Sequence, residues 1–539
     1  MLRIKKSLLP TSQLRWRTAS SSTSIPTIDY SSWDPKIVRP YKGQGFFKVL
    51  NSFVVFRLCA IPSFVRWGPT LLETAEKVPG LKQASHLVVK NTFFSHFCGG
   101  EDIKEVHATM QAYRQRGLGV ILNYAVEAEV SEHEPTVDQI VTEAKRVLAG
   151  MKESANIAAE HPQNFIAAKL TPYIPPSVLL RYTNSLRLLK ATFDTHSKDG
   201  RVTKQVFLSP AFGNAFPTLQ QTGSAIYAQL DPTNSGSFDF IDLTNVFTIA
   251  NHTTRSSLLV PTTTNTNPAF ALATEKDFEI FDAILPLLES LISHSKSLNV
   301  KVIIDAEWTY VQPAIDDLAL HLTKKFNGSR RDPTQGINNG RPVIFNTYQM
   351  YLQDALQRVK WELERAKRGN YNIGVKIVRG AYIVSESERA EKMGYANPIC
   401  PSLEATHESY NGAIDVCVQE IWKETPEVRA DTPLPVQFFI ASHNKESVLH
   451  AWVTLKKYGL DPQSDCVGFG QLMGMQDGTS YGIAANGLKG YKCVPYGPVP
   501  VAIPYLVRRA QENSAVLGGV KVDKDNLWDE LKLRVGSRS

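Results

Sequence analysis

The sequence predicts an α/β protein, a (β/α)8 barrel interrupted by an α-helical, EF-hand-like insertion between its second and third strands. Three observations carry this. From about residue 118 the chain alternates short runs dense in Val, Ile and Phe with helix-length segments, the pattern of parallel strands buried on both faces. There are eight such runs, which suits a closed barrel better than an open doubly wound sheet. Polar residues recur at or just past the C-terminal ends of the runs, the rim on which barrel enzymes build their sites.

The elements follow in chain order. Residues 1–28 hold Arg3, Lys5, Lys6, Arg15 and Arg17, many Ser and Thr, and no acid before Asp29. That composition describes a mitochondrial transit peptide, with a disordered cytosolic tail as the alternative. The formal charge of the chain is +7, and removing the leader's +5 leaves +2. The body is therefore not basic, and no nucleic-acid partner is indicated. Residues 29–117 form an N-terminal arm with helices. Its most apolar stretch, 46–67, is broken by Lys48, Arg57 and Arg66, too soon for a span of about 18 apolar residues. It reads as an amphipathic arm that packs on the body or lies on a membrane surface. The six cysteines are scattered without a C-x-x-C pair, so neither a disulfide framework nor a zinc site is indicated, which suits a reducing compartment.

The barrel's first part, 118–172, supplies strands at 118–127 and 165–171. Its remainder, 299–518, supplies strands at 300–307, 342–348, 373–378, 436–442, 466–471 and 491–495, with helices such as 349–368, 404–423 and 445–458 between them. Residues 519–539 form a C-terminal helix or tail. The strand ends carry Glu127, Lys169, Asp305, Glu307, Gln349, His443, Gln471 and the Arg508/Arg509 pair. Residues 173–298 are too long for one helix and a loop. Within them, 231–242 fits most of an EF-hand loop. Asp231, Thr233, Ser235, Asp239 and Asp242 offer oxygens, Ser237 its carbonyl, and Gly236 the turn. Ca²⁺ is the ligand this pattern would take, weakened by Asp242 standing where a longer Glu is usual. An upstream copy beginning at Asp194 is broken, with Lys198 at a ligand position.

Four motifs carry chemistry. On a helix, Tyr505, Arg508, Arg509 and Glu512 fall at i, i+3, i+4 and i+7, one face normally filled by core residues. Two adjacent guanidinium groups repel unless an anion sits between them, and their forks match a carboxylate. Asp305 and Glu307 end the third strand, and alternation puts both on one face. Residues 376–382 combine Lys376 and Arg379 with Gly380, which permits close approach of a ligand, and Tyr382, a flat amphipathic wall. His443 and Asn444 stand where they can meet phosphate. The glycine-rich 468–474 is one residue too long for a dinucleotide fingerprint and opens no βαβ unit, so a Rossmann site is rejected.

Taken together, these segments resemble proline dehydrogenase, the flavin enzyme of proline catabolism. The matching blocks are 164–172, 304–315, 346–355, 376–382, 442–444, 471–475 and 494–513, in the family order, over roughly 92–518. An insertion at this place resembles the eukaryotic mitochondrial branch. The resemblance implies a distorted barrel that binds FAD noncovalently and oxidises L-proline to 1-pyrroline-5-carboxylate. It also implies electrons passing to a membrane quinone, and a place in the mitochondrial matrix, peripheral to the inner membrane. By position, Arg508 and Arg509 resemble the substrate-carboxylate grip, with Lys169 as a third cation. Asp305, Tyr382 and Tyr505 resemble pocket members, and Glu512 and Glu127 resemble groups that orient the cations. Gln349, Lys376, Val378, Arg379, Gly380, Ala381, Thr406, Ser442, His443, Asn444 and Gln471 resemble flavin contacts.

Two departures stand out. Proline-specific members usually carry Tyr where this chain has Cys493, and small residues there are typical of hydroxyproline-oxidising relatives. Asn123 replaces an Asp common on the first strand. Hydroxyproline dehydrogenase is therefore the alternative within the enzyme class. A calcium-responsive, non-catalytic barrel is the alternative outside it, and the intact Arg508, Arg509 and Glu512 set counts against that.

Overall fold

Eight parallel strands close into a barrel in strict chain order. They are β1 (Leu118–Tyr124), β2 (Phe165–Ala168), β3 (Lys301–Ile304), β4 (Ile344–Gln349), β5 (Ile373–Val378), β6 (Val436–Ala441), β7 (Val467–Leu472) and β8 (Lys489–Tyr496). β8 closes on β1 in register from Leu118 opposite Gly490 to Tyr124 opposite Tyr496. The computed structural model describes residues 39–125, 134–161, 164–260, 268–330, 332–338, 340–425, 434–461, 463–515 and 517–536.

Aromatic rings fill the lower barrel. Phe165 meets Phe345, Phe439 and Tyr491 edge-on at centroid distances of 5.4, 5.3 and 5.2 Å. The small residues of β7 make room for them: a Cβ at Gly470 would lie 2.6 Å from the Phe439 ring. Beneath the rings, buried Lys301 pairs with Asp465 at 2.8 Å. With that end plugged by packing and charge, the C-terminal ends of the strands are the end left for chemistry.

Between β2 and β3 the chain builds the helical insertion. A two-stranded ribbon, Arg201–Thr203 antiparallel to Ser237–Asp239, joins its two loops as in paired EF-hands. Ahead of the barrel, three helices (Phe46–Cys59, Pro62–Glu76 and Leu81–Val89) run into a π-helical turn, Lys90–Phe94. The helix after β8, Val499–Ala515, is seated on this arm: Ala502, Tyr505 and Leu506 share an apolar cluster with Val55, Cys59, Val65 and Phe97. The C-terminal helix, Leu517–Gly536, is fastened to the arm through Trp528 stacked on Phe53 at 5.4 Å. Among the described residues no single helix is long and apolar enough to cross a membrane; the first two arm helices qualify only as a pair, bent by 98°.

Candidate active site

β3 stops at Ile304, and the next residue, Asp305, meets Lys376 Nζ at 2.7 Å. Lys376 lies on β5 in register with Thr347 of β4. A lysine in this low-dielectric space needs a counter-charge, and Asp305 supplies it. Cys493 stands on β8 opposite Ile121, an interior residue. Burial pushes its thiol up to about 11, and the charges of Asp305, Lys376, Arg509 and Lys169 all act on it. Charges from just past β3 and β2, from β5 and from the final barrel helix thus all act on Cys493.

The final helix presents the predicted face. Arg509 is buried, donates to Glu512 Oε1 at 2.5 Å, and has its guanidinium carbon 5.1 Å from the centre of the Tyr505 ring. Its Nε and the Tyr505 hydroxyl are buried without a hydrogen-bond partner. Leaving a buried donor unmade costs about 1–3 kcal/mol, so two of them one turn apart mark where a ligand's acceptors belong. Burial raises the Glu512 carboxyl, and Arg509 and Arg508 oppose that rise. Lys169, half-buried, acts likewise on the buried Glu307 carboxyl. Tyr382 packs its ring 4.7 Å from Trp308, a residue to which sequence reasoning gave no role.

Asp305 and Glu307 were expected on one face, and they diverge. The strand ends before them, so alternation no longer applies. Glu307 accepts from the backbone N–H groups of Leu170 and Thr171, both at 3.1 Å, and from the Thr171 hydroxyl at 2.6 Å. It ties the β2 loop to the β3 loop. Gln349 donates to the Glu307 carbonyl at 2.7 Å and braces the same turn.

A second cluster lies past β5 and β6. Arg379 donates to Ser442 Oγ at 2.6 Å and Ser447 Oγ at 2.9 Å, contacts His407 at 3.2 Å, and lies 4.4 Å from the Tyr410 ring centre. Its Nε is also buried and unpartnered. Asn444 caps the helix Lys445–Lys457 by accepting from the Ser447 N–H at 2.8 Å, and Thr406 is buried beside His407. His443 Nε2 accepts from the Leu472 N–H at 3.1 Å; burial, then the charges of Lys492, Arg509 and Arg379, hold its pKa down near about 3. Val378 is half-buried and Ala381 exposed at this rim. Gly380 has φ +140°, and a Cβ there would lie 2.5 Å from the Tyr351 ring, so the close neighbour that demands glycine is Tyr351. Gln471 turns away from the interior: its carbonyl accepts from Ser480 Oγ at 2.9 Å and its amide donates to the Ser442 carbonyl at 3.1 Å. The register puts Gly470 and Leu472 on the inward side with Tyr491 and Cys493. Glu127 lies outside the described residues.

The EF-hand-like loop is occupied by its own chain. Asp231 accepts from the N–H groups of Ser235 at 2.8 Å and Gly236 at 2.7 Å, with Thr233 Oγ1 at 3.4 Å, while Ser235 Oγ reaches the Ser237 carbonyl at 2.8 Å. Asp239 and Asp242 both take Arg368 Nη1, at 2.7 and 3.3 Å. Among the described residues no cluster of three or more His, Cys, Asp or Glu side chains is arranged to hold a metal. The calcium reading drawn from spacing alone meets loop oxygens already bonded to their own chain, with Asp239 and Asp242 paired to Arg368.

Known proteins resemble this chain over most of its length. Mitochondrial proline dehydrogenase 1 of Homo sapiens is 29% identical over 95% of this chain and 91% of its own length. Hydroxyproline dehydrogenase of Bos taurus is 36% identical over 48% of this chain and 52% of its own length. The crystal structure of proline utilization A from Bdellovibrio bacteriovorus, inactivated by N-propargylglycine, shares the fold at a TM-score of 0.52 and 16% identity. That match covers 92% of this chain and 40% of the larger protein. A family model described as proline dehydrogenase matches residues 106–522, a span holding all eight strands, the insertion and the Arg509–Glu512 pair. The chain belongs to the proline dehydrogenase family.

Proposed function

We propose that this protein oxidises L-proline to 1-pyrroline-5-carboxylate with FAD as its cofactor. The observation that carries the proposal is the pair of buried, unpartnered donors on Arg509 and Tyr505, with the charges of Arg509, Asp305 and Lys376 all acting on Cys493. Arg508 and Arg509 receive the substrate carboxylate, Lys169 adds a third cation, and Glu512 fixes the Arg509 plane. Tyr382 and Tyr505 wall the ring, and Trp308 holds Tyr382 in place. The protein's task is to hold the zwitterion's carboxylate on opposite charges and to exclude water from the ring.

The residues present fit the cofactor. Arg379 has a buried donor to spare and stands with Ser442 at the start of the helix Lys445–Lys457, a setting suited to phosphate. Lys376, Gln349, His443 and Gln471 line or brace the neighbouring strand ends. When bound, FAD supplies the hydride acceptor. His443 stays neutral and keeps its Nε2 on the Leu472 N–H, so it orients the wall and moves no proton. A membrane quinone as the onward electron acceptor completes the reading. Anaerobic addition of L-proline to the purified holoprotein should bleach the flavin absorbance, whereas no bleaching by proline or 4-hydroxyproline would sink the proposal. A smaller group at Cys493 and the bovine hydroxyproline relative favour 4-hydroxyproline as the second substrate to test.

The compartment belongs to the same proposal: mitochondrial matrix, at the inner-membrane surface. The leader, residues 1–28, lies outside the described residues, and its composition supports import. The arm supports the surface contact. Phe47, Leu50 and Val54 line one exposed face of its first helix, and Phe64, Trp67 and Leu71 line one of its second. Phe47 is 82% and Leu71 66% exposed, with Lys48, Arg57 and Arg66 interspersed. Cosedimentation with cardiolipin-containing vesicles should fall when Phe47, Trp67 and Leu71 become Ser; retained binding refutes this placement.

A further inference from the structure

Helix Val499–Ala515 carries Tyr505, Arg508 and Arg509, and apolar packing alone cannot fix it along its axis. Its buried face meets the arm through Ala502, Tyr505 and Leu506. Such contacts are non-directional and fix the axial position less sharply than a hydrogen bond does. A directional contact has to set the register. It lies at the helix N-terminus, where Pro500 has no N–H and the Val499 N–H is one of the orphan donors every helix leaves. That donor is taken by Glu101, whose Oε1 accepts at 3.1 Å.

Glu101 comes from almost four hundred residues upstream, and its own position is fixed from three sides. Its second carboxylate oxygen is ion-paired with Lys90, the first residue of the π-helical turn. Its backbone N–H donates to Glu105 Oε2 at 2.9 Å. The two residues before it stitch the segment to the turn that launches the helix. The Gly99 N–H donates to the Pro495 carbonyl at 2.7 Å, and the Gly497 N–H donates to the Gly100 carbonyl at 3.0 Å. Neither glycine has room for a side chain: a Cβ at Gly99 would lie 2.3 Å from Val494, and one at Gly100, with φ +153°, 2.3 Å from Glu105. Lys90 holds the Glu101 carboxyl below its ordinary range, so it stays an anion at a helix N-terminus, where negative charge is favoured.

We infer that Glu101, locked by Lys90, is a positioning residue that sets where Tyr505, Arg508 and Arg509 meet the substrate. The inference rests on the reading that these arginines grip the proline carboxylate. Glu101 touches no reacting atom and acts by holding the helix that does. A slip of about 1 Å at a binding constellation is worth up to about a hundredfold, and loss of a helix cap is a milder perturbation than that.

The test uses the FAD-loaded full chain with Glu101→Ala, Glu101→Gln, Arg509→Met and the double variant Glu101→Ala/Arg509→Met. Glu101→Ala should raise the KM for L-proline about tenfold, with kcat within about twofold and FAD content unchanged. Glu101→Gln keeps an acceptor for the Val499 N–H and loses the Lys90 charge pairing, so it should recover most of that loss. If Glu101 works through the arginine, the double variant should have the KM of Arg509→Met alone. An unchanged KM in Glu101→Ala, a parallel loss of FAD, or additive effects in the double variant overturns the inference. An unchanged KM in Arg509→Met instead defeats the carboxylate grip itself, whatever Glu101→Ala does.

Discussion

At the barrel mouth, Arg509 is held by one carboxylate, Glu512, and keeps a buried Nε with no partner. In the insertion seam, Arg368 is shared by Asp239 at 2.7 Å, Glu364 at 2.9 Å and Asp242 at 3.3 Å. Both places combine guanidinium and carboxylate, and a motif search would flag both. They differ in what remains unsatisfied. At the mouth, two donors one turn apart are left over in a buried space, a cost that a ligand's acceptors would remove. In the seam every carboxylate has an internal partner, and the arrangement fastens one element to another. Leftover hydrogen-bonding capacity, more than charge density, separates a site from a strut.

The largest effect should come from the mouth. Arg509→Met leaves half-buried Glu512 without its partner and removes one buried charge from the substrate carboxylate, a loss on the order of 2–5 kcal/mol. That corresponds to a KM for proline raised by roughly 30-fold or more, with FAD retained. An unchanged KM would falsify the grip and erase the distinction drawn above. Arg368→Met, run beside it, should leave the KM alone.

A titration separates the two regions with opposite signs. His443, in the mouth, is held near about 3 by burial and neighbouring cations, below its unfolded value of about 6.5. Its contribution to stability is complete above about pH 6.5 and drains away as the pH falls. Asp317, where the insertion meets the barrel, is raised to about 6 by burial while accepting from Tyr182 OH at 2.9 Å and the Ile249 N–H at 2.7 Å. Its unfolded value is about 3.8, so its contribution is present below that and is lost as the pH climbs through 6. Asp317→Asn keeps an oxygen for both donors and removes the ionisation. Its Tm relative to wild type should rise between pH 5 and pH 7.5; a difference independent of pH would mean Asp317 does not titrate in this window.

Much of this was legible in the sequence, and its limits are physical. Every strand was placed, because both-face burial leaves a dense apolar signature that needs no tertiary knowledge. Strand ends were less legible. The third run was extended to Glu307, and the chain turns at Asp305, since carboxylates near a strand end do not reveal which loop they will brace. Gln471 was assigned to the rim correctly by position and to the cofactor by resemblance. Facing depends on which neighbour fills the barrel, and Phe439 leaves only glycine-sized room on the inward side of β7. Glu101 and Arg368 escaped because their partners lie far off in the chain, and no local pattern announces a contact across such distances.

Cys493 tests the mouth at finer grain. It is half-buried among Asp305, Lys376, Arg509 and Lys169, on the interior side of β8. A tyrosine there would fill the space beside the substrate ring, and a filled wall rejects an added hydroxyl sterically. Apolar pockets discriminate against a hydroxyl by about a hundredfold at best. Cys493→Tyr should therefore shift the ratio of kcat/KM for proline over 4-hydroxyproline upward by about one to two orders of magnitude. A ratio that stays put, or moves toward hydroxyproline, removes Cys493 from the specificity account.

The smallest expected effect lies in the strut. Arg368 is more than a third exposed, and exposed ion pairs are worth about 0–1 kcal/mol even when well formed. Arg368→Ala also leaves Asp239 and Asp242 facing each other, and burial together with the Asp239 charge already pushes the Asp242 carboxyl up. Like charges left at close range add to the loss, so the Tm at pH 7.5 should fall by about one degree in a chain of this size, and the deficit should shrink as the pH falls. Proline turnover should be unchanged, because Arg368 is spent on Asp239, Asp242 and Glu364. Calcium sharpens the comparison: at millimolar concentration it should leave the wild-type Tm alone, since Arg368 already pairs with two of the loop's carboxylates, and should raise the Tm of Arg368→Ala. A wild-type protein stabilised by calcium would show that the guanidinium yields to the ion, and the insertion would then have to be counted as a site.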